Sequence, residues 1–157
     1  MNPDTERYVQ SALPPLRISW FFMVFASLAW AALGMFASPA GLTSDPTTAR
    51  KLTVALATLG ALCAVVTLWI DRAVITTERM AALIPVFDFA LVQRHLLAGH
   101  LVLWSLAQLP ALFGFAQLLL DGSLEIHLAL CAFSLATLAL LMPSRARIAA
   151  RLEAVLR

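Results

Sequence analysis

The sequence predicts an all-α integral membrane protein, with four transmembrane helices arranged as two antiparallel hairpins. Amphipathic segments are expected at the N-terminus, in the central loop and at the C-terminus. Three observations carry that prediction. Four apolar runs, at 19–37, 52–70, 101–120 and 126–142, contain no Asp, Glu, Lys or Arg. The composition is 61% hydrophobic and 13% charged, with a mean hydropathy of +0.86, outside the range of soluble domains. The basic residues are also distributed unequally between the two sides that such spans would define. Arg7, Arg17, Arg72, Arg79, Arg94, Arg145, Arg147, Arg151 and Arg157 fall on one side, and only Arg50 and Lys51 on the other. Under the positive-inside rule this split places both termini in the cytoplasm of a bacterial inner membrane and supports an even number of spans.

Each element follows from local chemistry. A helix needs about 20 apolar residues to cross about 30 Å of hydrocarbon, a length that the first three runs reach and the fourth just misses. The chain reads as one domain, residues 1–157, because no linker long enough to separate two is present. The start, Asn2-Pro3-Asp4-Thr5-Glu6, is a helix entry with a capping Asn, Pro at the first position and acids in the first turn. Pro14-Pro15 is expected to break this first helix before span one begins. Span one is longer than the apolar core of a signal peptide and reads as an uncleaved anchor.

Spans one and two both carry small residues at three- and four-residue spacing. Ser27, Ala31 and Gly34 mark span one; Ala57, Gly60, Ala61 and Ala64 mark span two. Small residues at this spacing let helix backbones approach closely in lipid. The two spans are therefore expected to pair as a tight antiparallel hairpin. The connection from Asp71 to His100 is long and mostly apolar, which predicts helical extensions of both flanking spans and a break at Pro85.

Span three holds Gln108 and Gln117 with Pro110 between Gln108 and Gly114. Nine positions at about 100° each put the two glutamines on opposite faces. Gln108 is read as interhelical glue beside the proline. In span four, His127, Cys131 and Ser134 share one face, read as turned toward the bundle. The segment 144–157 reads as a basic amphipathic helix whose Arg145, Arg147 and Arg151 lie on anionic lipid headgroups.

Shifting the chain by 80 residues lays Ala31-Ala32-Leu33-Gly34 on Ala111-Leu112-Phe113-Gly114, an internal echo suggestive of a duplicated helical hairpin. The stretch Leu106-Ala107-Gln108-Leu109-Pro110-Ala111-Leu112-Phe113-Gly114-Phe115 resembles the small-residue helices of proteolipid c subunits of rotary ATPases, and small bacterial four-span proteins built in the same way. The resemblance implies hairpins of closely packed helices. In those subunits a membrane carboxylate carries the proton, whereas the matching position here is Gln108, which does not titrate, so ion translocation is not carried over.

The remaining chemistry is sparse. His95 and His100 lie at the opposite side of the membrane from His127, which disfavours haem ligation within one chain, and no metal site or cofactor is expected. No nucleophile stands near a plausible base, no phosphate-binding loop is present, and no nucleic-acid-binding surface is evident. The expectation is a non-catalytic accessory subunit of a larger inner-membrane complex, respiratory or photosynthetic among the possible hosts. Its partners would be lipid and other membrane subunits. A homo-oligomeric channel or carrier lined by Gln108 and Ser105, or by His127, Cys131 and Ser134, and a membrane immunity protein are the alternatives.

Overall fold

A computed structural model describes residues 3–36, 45–74, 89–121 and 123–156. These form five helices: α1 (Pro3–Phe36), α2 (Pro46–Val74), α3 (Phe89–Asp121), α4 (Leu124–Leu140) and α5 (Arg145–Leu156). No strand occurs among the described residues. α1, α2 and α3 are long and apolar enough to cross a membrane, while α4 is a shorter apolar helix. At 1.5 Å per residue its 17 residues reach ~26 Å. The expected cap at Asn2 and break at Pro85 lie outside the described residues, as does Gly122 between α3 and α4.

α3 is the central helix. It packs on α1, α2 and α4. Burial of the most apolar window rises from 11% in α1 and 22% in α2 to 39% in α3. α1 runs parallel to α3, since Gln108 meets Met23 and Phe115 meets Trp30 at the same sequence offset. α4 runs antiparallel to both, with Trp20 against Leu138 and His127 against Trp30.

The pairing of the first two helices is a correction to the sequence reading. α1 and α2 are not an extensively packed pair; α1 packs instead on α3, α4 and α5. α2 finds its partner in α3, and α3 also packs on α4. A small-residue stripe permits close approach but does not select the neighbour. The hydrogen bonds available on α4, described below, are what α1 gains from its actual partner. Ala61 of the expected stripe is exposed, Ala57 is half-buried, and Gly60 and Ala64 are buried.

α1 is also continuous through Pro14 and Pro15, where a break was expected. Proline removes an N–H that would bond four residues back and costs a helix about 3 kcal/mol in its interior. Here Val9, Ala12 and Leu16 bury the same face before and after the prolines, in a cluster with Leu96 and Leu103 of α3 and Ile148 of α5. Packing on both sides keeps the helix running through the prolines. Trp104 is fully buried in that cluster.

Helix ends are formed by short polar residues. Asp45 accepts from Thr47 N at 3.1 Å and Thr48 N at 3.2 Å at the start of α2, and from the Thr48 hydroxyl. The Thr48 hydroxyl, then the Thr47 amide, hold its carboxyl below the usual range. Ser144 accepts from Arg147 N at 3.2 Å and so caps α5, the helix read from the sequence over 144–157. α5 docks on the N-terminal half of α1 through Ile148 and Ala149, and Arg145 pairs with Glu6. The two terminal segments of the chain therefore meet at one end of the bundle.

Candidate functional site

Several of the polar side chains within the apolar helices, among them Ser27, Ser134 and His127, lie along the seam where α1 meets α4. On α1 the seam residues are Trp20, Met23, Ser27, Trp30 and Gly34, alternating in steps of three and four. On α4 they are His127, Cys131, Ser134 and Leu138, with Leu141 at its C-cap, again alternating between four and three, and all five are buried. Steps averaging about 3.5 residues keep one face of each helix toward the other along its length.

Four levels of contact tie the seam together. At the end carrying the termini, Trp20 Nε1 donates to Leu138 O at 2.9 Å. One turn further in, Gln108 Nε2 on α3 donates to Met23 O at 2.8 Å and lies 3.2 Å from Met23 Sδ. At mid-height Ser134 Oγ donates to Ala107 O at 2.7 Å and sits 3.3 Å from Ser27 Oγ. The single Ser134 proton is used on the carbonyl, so Ser27 is the donor to Ser134. At the far end His127 Nε2 lies 3.1 Å from Trp30 O. A carbonyl only accepts, so Nε2 carries the proton and, in the neutral ring, Nδ1 is the acceptor.

His127 is the most constrained of these groups. It is fully buried. A Cβ placed on Gly34 would fall 2.1 Å from His127 Nε2, and one on Gly114 would fall 3.2 Å from His127 Nδ1. The ring is thus clamped between two glycines, one from α1 and one from α3. These are the two glycines that the 80-residue shift superposes. Cys131 Sγ lies 3.7 Å from His127 Nε2 and 3.9 Å from Nδ1, and Phe115 approaches edge-on with ring centroids 6.0 Å apart.

The sequence-derived residues divide accordingly. Ser27, Gly34, Gln108, Gly114 and Ser134 meet at the seam or reach it from α3. Ala31 is half-buried on α1. Gly60 faces Leu130 and Pro110, where an added Cβ would come within 3.3 and 3.4 Å, so it serves the junction of α2 with α3 and α4. Arg145 and Arg147 lie at the start of α5, Arg145 bonded to Glu6 and Arg147 Nη1 3.4 Å from Met142 O; Arg151 falls further along that helix. His127 was read with Cys131 and Ser134 as facing the bundle, and all three are buried, whereas Trp20, Met23 and Trp30 were not singled out as packing residues from the sequence. The alternating three-and-four spacing on two separate helices is the signal that would have found them.

The seam is a set of interhelical hydrogen bonds, buried at Ser27, Ser134 and His127 and half-buried at Trp20, Met23 and Trp30. In membrane proteins such bonds average about 0.6 kcal/mol in double-mutant cycles. A cycle of Ser27→Ala and Ser134→Ala, read by unfolding in mild detergent, is expected to give a coupling of about that size. Additive single effects would show that the 3.3 Å contact carries no energy. A cleft of about 260 Å³ borders the seam, lined by Met23, Trp30, Ser105, Gln108, Leu109 and Leu112. Compared with protein-family models, curated proteins and solved structures, the chain matches none.

Proposed function

We propose that this protein is a non-catalytic membrane subunit that works by helix packing within a larger inner-membrane complex. In this reading α1 to α4 all cross the bilayer, α4 being accommodated by modest local thinning. Both termini are cytoplasmic, as the arginine distribution indicates. The observation that carries the reading is how the polar groups are used. Trp20, Gln108, Ser134 and His127 are engaged with backbone carbonyls of neighbouring helices, leaving their chemistry committed to structure. Meanwhile α1 and α2 turn large apolar side chains outward, among them Phe25 at 71% exposure and Trp69 at 68%. Those faces suit lipid and the helices of other subunits.

The test is a native pull-down from mild-detergent membranes with a tag on the C-terminus, read by mass spectrometry. A stoichiometric membrane partner is the expected result. A monodisperse monomer with nothing bound would overturn the reading. A second reading, a homo-oligomeric channel or carrier, is favoured by the cleft that holds Ser105 and Gln108. It requires solute flux in proteoliposomes above that of empty liposomes, and flux reduced by Gln108→Leu.

A further inference from the structure

We propose that the groove between the N-terminal half of α1 and the start of α5 binds one anionic phospholipid of the adjoining leaflet. The inference rests on the membrane location proposed above. The groove has two connected parts. The upper part, about 460 Å³, has Gln10, Arg17 and Arg145 among its polar lining and Leu13 and Pro14 on its wall. The lower part, about 490 Å³, is an open apolar face of α1 alone, formed by Ile18, Phe21, Phe22 and Phe25. Ile18 and Phe21 belong to both, so the polar rim adjoins the exposed apolar face.

Charge and depth select the occupant. Arg17 is exposed and has no hydrogen-bond or ion-pair partner among the described residues. Arg145 pairs with Glu6 through Nη2 and has further N–H donors on its guanidinium. Two cations and one anion leave the rim at +1, which suits one phosphodiester. Guanidinium groups match phosphate geometry, donating more than one bond to it. From Arg17 to Phe25 the helix descends ~12 Å, close to the ~15 Å depth of one hydrocarbon leaflet. A soluble phosphate compound would use the rim and leave the phenylalanine face uncovered. A phospholipid uses both.

The experiment is native mass spectrometry of the full chain in mild detergent, titrated with phosphatidylglycerol or with phosphatidylcholine of the same acyl chains. The expected result is one tighter adduct with phosphatidylglycerol, undisplaced by glycerol phosphate. Arg17→Gln should weaken that adduct about fivefold, as loss of one cation near a phosphate predicts. Arg50→Gln, at the opposite end of the bundle, should leave it unchanged. Phe25→Ser should weaken both lipids alike. Equal binding of the two lipids, or equal losses from Arg17→Gln and Arg50→Gln, would overturn the proposal. So would a photo-crosslinker at Phe22 that captures a protein chain and excludes lipid. Alkaline washing of membranes separates the two readings: release of the wild-type chain defeats the membrane location itself, whereas retention without lipid selectivity defeats only the groove.

Discussion

Gly34→Ala is expected to destabilise the folded protein by about 3 kcal/mol, the upper end of what an extra methyl costs in a packed interior. The added carbon would fall 2.1 Å from His127 Nε2 and 2.3 Å from Cδ2, well inside contact distance. A flexible side chain would swing aside, but this ring has little room. Gly114 backs it on the other side, and Cys131 Sγ stands 3.7 Å away. Moving the ring also breaks its bond to Trp30 O. The glycines should rank by the space each has. Gly114→Ala meets Leu130 Cβ at 3.0 Å and should cost less than Gly34→Ala, and Gly60→Ala, at 3.3 Å from Leu130 Cδ2, least of all. Thermal unfolding in mild detergent measures the series. The decisive variant is the double change Gly34→Ala with His127→Ala. Removing the ring makes space for the new methyl, so the pair should be markedly more stable than the sum of the single changes predicts. A Gly34→Ala protein that melts like wild type would mean the ring is free to move.

Trp104→Ala should have an effect of similar or greater size, about 3–5 kcal/mol, the usual range for removing a large aromatic from a core. Trp104 is fully buried and belongs to the cluster in which α1, α3, the end of α4 and α5 meet. Its ring lies 5.3 Å from that of His100, and its Nε1 is 3.4 Å from Leu141 O. Truncation leaves a cavity where four elements join, so the damage should spread to the docking of α5. Cleavage of α5 by a protease added to detergent-solubilised protein is the local readout, and unfolding is the global one. Trp104→Phe keeps most of the ring and gives up only a long hydrogen bond, so it should retain most of the stability. If alanine and phenylalanine behave alike, the site collapses around the deletion and the cluster is softer than its burial implies.

The helices were legible because uncharged apolar runs report directly on what must avoid water. α3 even begins earlier than its apolar core, at Phe89, in line with the helical extension read from the central loop. The partners were not legible. Ser27, Ala31 and Gly34 advertise a face that tolerates close approach, and α2 presents a similar series in Ala57, Gly60 and Ala64. Matching one stripe to the other is natural along the chain, yet Gly34 meets His127 and Ser27 meets Ser134. What decides the pairing is hydrogen-bond complementarity at specific heights, which depends on the relative shift of two helices about 100 residues apart and on no local pattern. Pro14-Pro15 misled for a related reason. The rule that proline ends a helix describes a helix standing alone, and this one is held on both sides by other elements. The internal echo was partly informative: it aligned Gly34 with Gly114, which clamp the same ring, but the hairpin it implied for α1 and α2 is not an extensively packed pair.

The seam between α1 and α4 has a consequence for how the chain is made. The hydrogen bonds that join α1 directly to α4 link residues 97 to 118 positions apart, so α1 is synthesised well before the helix it pairs with. At translation speeds of about 5–20 residues per second, α1 waits roughly 5–20 s before α4 exists. α2, which emerges in the meantime, packs on α3 and gives no substitute. Throughout that interval the Ser27 hydroxyl and the Gly34 notch lack the Ser134 and His127 partners that they meet in the folded chain.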